Sequence, residues 1–252
     1  MVKLQSLVEY CDQLLAAGDY SDYAPNGLQV QGRDEVRRIV AGVTASQALI
    51  DAAVASQADL LLVHHGFFWK GESAVITGMR QRRIKALLEH DISLLAYHLP
   101  LDGHPVLGNN ARLGARWGLS EEGRFGHGPN GGIGCYGRLA EPLSPQILSE
   151  HISKDLGREA LLIDGGNGPI ERLGWCSGGA QDYIEQAAAL GLDAYVSGEI
   201  SERTVHQARE LGIHYIAAGH HATERYGAMA LGAQLAERFA IQCEFIDIDN
   251  PV

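Results

Sequence analysis

Arg38-Ile-Val-Ala-Gly-Val-Thr-Ala-Ser46 and Arg172-Leu-Gly-Trp-Cys-Ser-Gly-Gly-Ala180 are two copies of one pattern, and their register decides the fold. Each starts on an arginine, runs through apolar residues and ends on small residues that lead into an Ala-rich helical stretch. The match continues without a gap to Asp59 and Asp193, with Ile50 on Ile184, Asp51 on Glu185 and Ala53 on Ala187. Self-similarity at this length points to duplication of a β-α-β unit. On the same register His64-His65 fall on Gly198-Glu199. After a shorter connection in the second copy, His98-x-x-x-Asp102 falls on His220-x-x-x-Glu224.

Outward from the repeat, helix and strand signals alternate. Leu4, Leu7, Val8, Cys11, Leu14 and Leu15 recur at helical spacing, and Gly18 ends that helix. Strands are expected at 39–43, 60–63 and 92–97, with helices from Ser46 to about 55, over 80–89 and over 109–117. After a Gly-rich stretch at 123–134 come strands at 135–139, 160–163, 170–176, 194–197 and 214–218. Ser144-Pro145 opens a helix by a cap followed by proline at the first position. Further helices are expected at 182–190, before 214 and from about 223 to 239, with a closing strand at 242–246. Strands joined by helical crossovers form parallel sheets. The expected class is α/β: two related units with mainly parallel sheets flanked by helices, related by a pseudo-twofold internal repeat. The expected boundaries are 1–125 plus about 225–252 for the first unit and 126–224 for the second, with a metal site between them.

Composition bounds the function. With 46% hydrophobic and 20% charged residues, the 252-residue chain reads as a soluble globular protein with real cores. The formal charge of −11 argues against tight binding to a nucleic-acid backbone and leaves room only for a local basic pocket for a single nucleotide. The start, Met1-Val2-Lys3-Leu4-Gln5, has no apolar leader region, and no apolar run approaches a membrane span. Cys11, Cys135, Cys176 and Cys243 are scattered, as expected of reduced, buried thiols in a cytoplasmic protein.

His64-His65, His98 to Asp102, and His220 to Glu224 all follow apolar runs, where strands of a parallel sheet end and sites collect. Each motif alone has an ordinary reading: polar turn chemistry for the histidine pair, a turn cap for Asp102, a first-turn helix carboxylate for Glu224. Two imidazoles placed directly after a buried strand, however, are costly unless partners hold them. Together the three elements point to a metal site. The remaining histidines, His90, His104, His127, His151, His206 and His214, lack this setting and read as surface or structural. No P-loop, G-x-G-x-x-G or G-x-S-x-G elbow is present, which removes nucleotide-switch, dinucleotide-redox and serine-hydrolase readings.

The ordered runs Asn26-Gly-Leu-Gln-Val-Gln-Gly32, His64-His-Gly66, His98-x-x-x-Asp102, Gly137-Arg-Leu139 with Pro142-Leu, Cys176-Ser-Gly-Gly179 and Gly219-His-His-Ala-Thr-Glu224 resemble the NGG-interacting-factor-like dinuclear metal family. Its members are often called GTP cyclohydrolase I type 2 homologues. The resemblance covers nearly the whole chain. It implies two α/β units, a cytoplasmic toroidal homohexamer, and paired metal ions. Carried over, it implies the ligands His64, His65, Asp102, His220 and Glu224, with His98 as a neighbour that orients a ligand or relays a proton. This chain is similar to the short form, without the domain that longer members insert.

Three imidazoles and two carboxylates are too few to saturate two ions, so positions for water or substrate stay open. The mixed N/O set suits two divalent ions of Zn, Fe, Mn or Ni, and lacks the thiolates of a structural zinc site. The leading expectation is hydrolysis of a small nucleotide-, purine- or pterin-like substrate by a metal-activated water. The alternative is a non-enzymatic metal-binding ring that serves as an interaction scaffold or metal reservoir.

Overall fold

The computed structural model describes residues 1–252, and the chain divides into two compact units. The first comprises Met1–Leu101 and Gly227–Asp249, the second Asp102–Tyr226 and Asn250–Val252. Both are α/β, with sheets that contain parallel strands and helices packed on them.

In the first unit the sheet runs, in spatial order, Gln242–Phe245, Arg38–Thr44, Leu60–His65, Ser93–Ala96 and Gly27–Val30. The first four are mutually parallel and the last pairs antiparallel to Ser93–Ala96. Leu60 to Val63 are wholly buried because helices cover both faces of a parallel sheet. Gln47–Ala55 and Gly78–Glu89 supply Leu49, Ile50, Ala53, Ile84 and Leu87 to a core with Val40, Leu61, Val63 and Leu94. The Ser46 hydroxyl caps the first of these helices, accepting from the Leu49 N–H at 3.3 Å. Adjacent strands end level with one another: Thr44 pairs with His65, and Val63 with Ala96. The two histidines therefore leave the sheet at its C-terminal edge.

In the second unit the order is Ser120–Phe125, Gly134–Leu143, Ile170–Cys176, Ala194–Ser197, His214–Ala217 and Leu161–Ile163. Its centre repeats the parallel arrangement, with Cys176 level with Ser197 and Ser197 level with Ala217. Antiparallel strands flank that centre on both sides. Trp175, Leu148, Ile152, Val196 and Ile216 form the core, and Ser144 caps helix Pro145–Leu156 as its Ser-Pro start implies.

Residues 102–125, expected in the first unit, fold with the second. Ser120–Phe125 is a strand hidden by its polar composition (Ser-Glu-Glu-Gly-Arg-Phe), and it forms a hairpin with Gly134–Leu143. The Gly-rich stretch is the turn of that hairpin: Gly126, Gly128, Gly131 and Gly132 all have positive φ. Helix Asn109–Arg116 lies against Trp175, and a Cβ at Gly114 would come within 2.6 Å of the indole. The short edge strand Gly27–Val30 also escaped the sequence pattern. No helix is long and apolar enough to cross a membrane. All four cysteines are free thiols.

The duplication is visible in hydrogen bonds. The Asp59 carboxylate accepts from the backbone N–H groups of Arg37 and Arg38 at 2.7 and 3.1 Å. Asp193 does the same for Glu171 and Arg172 at 2.9 and 2.8 Å. Each aspartate thus pins the start of its unit's corresponding strand. Replacing either with alanine leaves two N–H donors without their acceptor and should cost about 2 kcal/mol. Asp59→Ala should cost more than Asp193→Ala, since Asp59 is buried and also binds the Arg33 guanidinium at 2.7 Å. Urea denaturation of the two variants checks the ranking.

Candidate metal centre

In the first unit three imidazoles converge. His64 and His65 terminate strand Leu60–His65, and His98 follows the strand Ser93–Ala96. Their ring centroids are 4.5 Å (His64–His65), 5.1 Å (His64–His98) and 5.6 Å (His65–His98) apart. One nitrogen of each lies within 4.8 Å of the others. His64 Nδ1 meets the Tyr97 carbonyl at 2.9 Å, and a carbonyl only accepts, so Nδ1 carries the proton and Nε2 presents its lone pair. His65 Nδ1 is engaged by the Thr44 hydroxyl at 3.1 Å. In His98, Nδ1 donates to Asp22 Oδ1 at 2.6 Å.

Asp22 organises that corner. It also accepts from the Tyr23 and Leu99 backbone N–H groups and from the Asn26 amide, whose own oxygen accepts the His98 N–H at 2.7 Å. Burial opposes the charged carboxyl, but the hydrogen bond and charge of His98, with help from Asn26 and Tyr23, hold its pKa at about 2. Asp22 did not stand out in the sequence because its acid lies 76 residues from His98. The only local hint was Asn26, at the head of the Asn26–Gly32 run.

In the second unit the donors are Asp102, His220 and Glu224. Asp102 and Glu224 are buried, at 4% and 3% exposure, and a carboxylate oxygen of one lies within 4.8 Å of one of the other. Asn109 and the Ser177 hydroxyl both donate to Asp102 Oδ1, at 2.9 and 2.8 Å. Asn110 holds Ser177 in turn, accepting its N–H at 2.8 Å. His220 Nε2 is 3.1 Å from Glu224 Oε2, and its Nδ1 is 2.7 Å from Glu199 Oε1. Burial disfavours the charged ring, yet Glu224 and then Glu199 outweigh it and push His220 up to about 9.

Glu199 is thus a site residue that motif spacing missed, although the repeat register marked it: it occupies the place of His65. Gly178 occupies the place of Thr44, and its missing Cβ makes room for Glu224. A Cβ there would fall 2.1 Å from Glu224 Oε1, and the backbone has φ +65°. Cys176 is no donor, because burial and then the nearby Asp102 charge raise its thiol well above the usual range. His221, next to His220, is buried separately, and its N–H donates to the Val252 carbonyl. His214 is structural: it is 2% exposed, 2.9 Å from Asp164, and bonded to the Gly166 N–H and the Gly168 carbonyl.

The donors present fit a divalent transition metal. His64 has Nδ1 bound to a carbonyl, which leaves Nε2 as the ligand atom, and two adjacent buried carboxylates call for positive charge. The three imidazoles of the first unit and the Asp102, His220 and Glu224 set of the second are what the fold assembles within each unit.

The family model described as Duf34/NIF3 (NGG1p interacting factor 3) matches residues 2–251. A Pseudomonas aeruginosa protein named GTP cyclohydrolase 1 type 2 homolog is 59% identical over 250 residues, covering 99% of each chain. A protein of the same name from Allochromatium vinosum is 54% identical over 251 residues, covering 100% of this chain and 98% of its own. Among solved structures, the chain is similar to protein ybgI, described as of unknown function, at 48% identity with a TM-score of 0.96 and full coverage of both chains. It is also similar to TTHA1606 from Thermus thermophilus, at 32% identity and a TM-score of 0.87, again over both chains entire.

Two substitutions test the donor geometry. Gly178→Ala should keep native circular dichroism and lose bound metal, because the added methyl displaces Glu224. Glu199→Gln removes the charge that orients His220 and should weaken metal affinity by roughly tenfold, as loss of such supporting carboxylates does. Competition with a chromophoric chelator measures both.

Proposed function

The chain belongs to the Duf34/NIF3 family, and we propose that it holds two divalent transition-metal ions and hydrolyses a small nucleotide-, purine- or pterin-like molecule. The observation that carries this reading is the pair Asp102 and Glu224, two carboxylates buried in the same unit within 4.8 Å of each other. Two like charges in a low-dielectric setting repel strongly unless a cation lies with them. His64, His65 and His220 complete the proposed ligand set, each with Nδ1 engaged elsewhere.

Bound by these residues, such ions supply Lewis-acid activation of water and of a substrate oxygen. The chain's own contribution is positional. Glu199 and the Tyr97 carbonyl fix imidazole orientation, Asn109 and Ser177 fix Asp102, and Gly178 keeps space for Glu224. His98, oriented by Asp22, stands beside His64 and His65, the place for a group that exchanges a proton. The name GTP cyclohydrolase belongs to the relatives, and it supports the purine-like substrate class by analogy. A homohexamer is part of the same reading and is checked by light scattering coupled to gel filtration.

The test combines metal analysis of the purified protein with a panel of phosphoester, amide and cyclic-amidine substrates. Native protein should contain close to two ions per chain and turn over one of these classes. Chelated protein and Glu224→Gln should lose at least about a hundredfold in rate together with their metal. If the metals stay bound and no class is turned over, the hydrolase reading fails and a metal-holding scaffold stands instead.

A further inference from the structure

The run after the histidine pair, Gly66-Phe67-Phe68-Trp69-Lys70-Gly71, sends Phe67 into the core and leaves the Phe68 and Trp69 rings outside it. The chain has three tryptophans. Trp117 and Trp175 are core residues, 4% and 1% exposed. Trp69 alone is left half-buried, and it sits beside the imidazoles: 5.0 Å from His98 and 5.7 Å from His65 between ring centroids. Both contacts are inclined, at 82° and 58°, so neither ring stacks parallel on the indole. The Trp175 indole N–H donates to the Asn110 carbonyl, whereas that of Trp69 has no acceptor in the protein. Tyr23, 63% exposed, approaches the same imidazole, 6.5 Å from His98.

The backbone that carries these rings is held in place. The Lys70 N–H donates to the Tyr23 carbonyl at 2.6 Å, which ties the two aromatic segments together. The Phe67 N–H donates to Gln29 Oε1 at 2.6 Å, and the Trp69 N–H to Glu72. Phe68 adopts φ +65°, a conformation that a bulky residue keeps only where its surroundings impose it, as at ligand-binding loops. A fixed aromatic wall with an unused N–H donor, next to imidazoles that carry chemistry, is the composition of a ring-binding subsite.

We propose that Trp69 and Tyr23 form a stacking platform for a flat heteroaromatic ring of the nucleobase type. The platform sets which molecules are presented to the histidine cluster. It rests on the functional reading above for its role, but not for its existence, since the rings and their supports all belong to the first unit.

The experiment compares guanosine 5′-monophosphate with ribose 5-phosphate on the metal-loaded protein. The two share sugar and phosphate, so their difference isolates the ring. Binding is read by calorimetry and by tryptophan emission, in which the half-buried Trp69 is separated from the buried pair by its loss in Trp69→Phe. Guanosine 5′-monophosphate should quench the Trp69 component and bind at least roughly tenfold tighter than ribose 5-phosphate, the scale of one base stacked on an aromatic side chain. Trp69→Ala should lose about that factor, and Trp69→Phe, which keeps a ring, should retain most of it.

Metal content is measured on every sample. Equal affinity for the two probes, no binding of guanosine 5′-monophosphate by metal-loaded protein, or unchanged binding by Trp69→Ala overturns the platform. So does Trp69 emission that is blue-shifted and insensitive to the probe until dilution exposes it, which would mark a face covered by another copy of the chain. A native protein without metal that still shows the ring preference would instead sink the hydrolase reading and leave the platform standing.

Discussion

Two carboxylates buried within 4.8 Å of each other are the constraint around which the rest of the second unit is arranged. Left to themselves, Asp102 and Glu224 would repel each other. Neutral donors soften the problem: Asn109 and Ser177 give Asp102 two hydrogen bonds. The imidazole of His220 stands against Glu224 and is driven toward its charged form by it. A proton on His220 and a metal ion at Glu224 are therefore alternative answers to one electrostatic demand.

The repeat explains how one scaffold came to carry unlike halves. Asp59 and Asp193 do the same structural task in the two units, each collecting two backbone N–H groups at the start of a parallel strand. At the opposite ends of those strands the copies diverge. Thr44 supports His65 in one, whereas in the other Gly178 clears space for Glu224 and Glu199 supports His220. Stability was retained at the N-terminal edge and chemistry was varied at the C-terminal edge, as parallel sheets allow.

The buried aliphatic strands and their crossovers were legible in the sequence because burial on both faces leaves an unbroken apolar run, as at Leu60 to Val63. Ser120–Phe125 was not, since a hairpin strand that is exposed along much of its length has no apolar period to show. That hidden strand moved the boundary between the units. The candidate donors His64, His65, Asp102, His220 and Glu224 stood out because they follow those readable strands. Their supports did not: Asp22, Asn109 and Ser177 reach the site through pairings 76, 7 and 75 residues apart that only the fold creates. Glu199 stands between these cases. Nothing in its local sequence marks it, but its register against His65 does.

Charge accounting in the proposed centre connects the donors to what surrounds them. Two divalent ions, as proposed, would bring four positive charges, of which the ligands Asp102 and Glu224 would offset two. Asp22 and Glu199, each hydrogen-bonded to an imidazole, supply the remaining two. A centre neutralised in this way does not select an anionic substrate by charge, and its field falls off quickly in a screened medium. Selection then depends on contacts of shape and stacking near the imidazoles. Those are the contacts that a half-buried indole and an exposed phenol beside His98 are built to make, and that a fully charged pocket would not need.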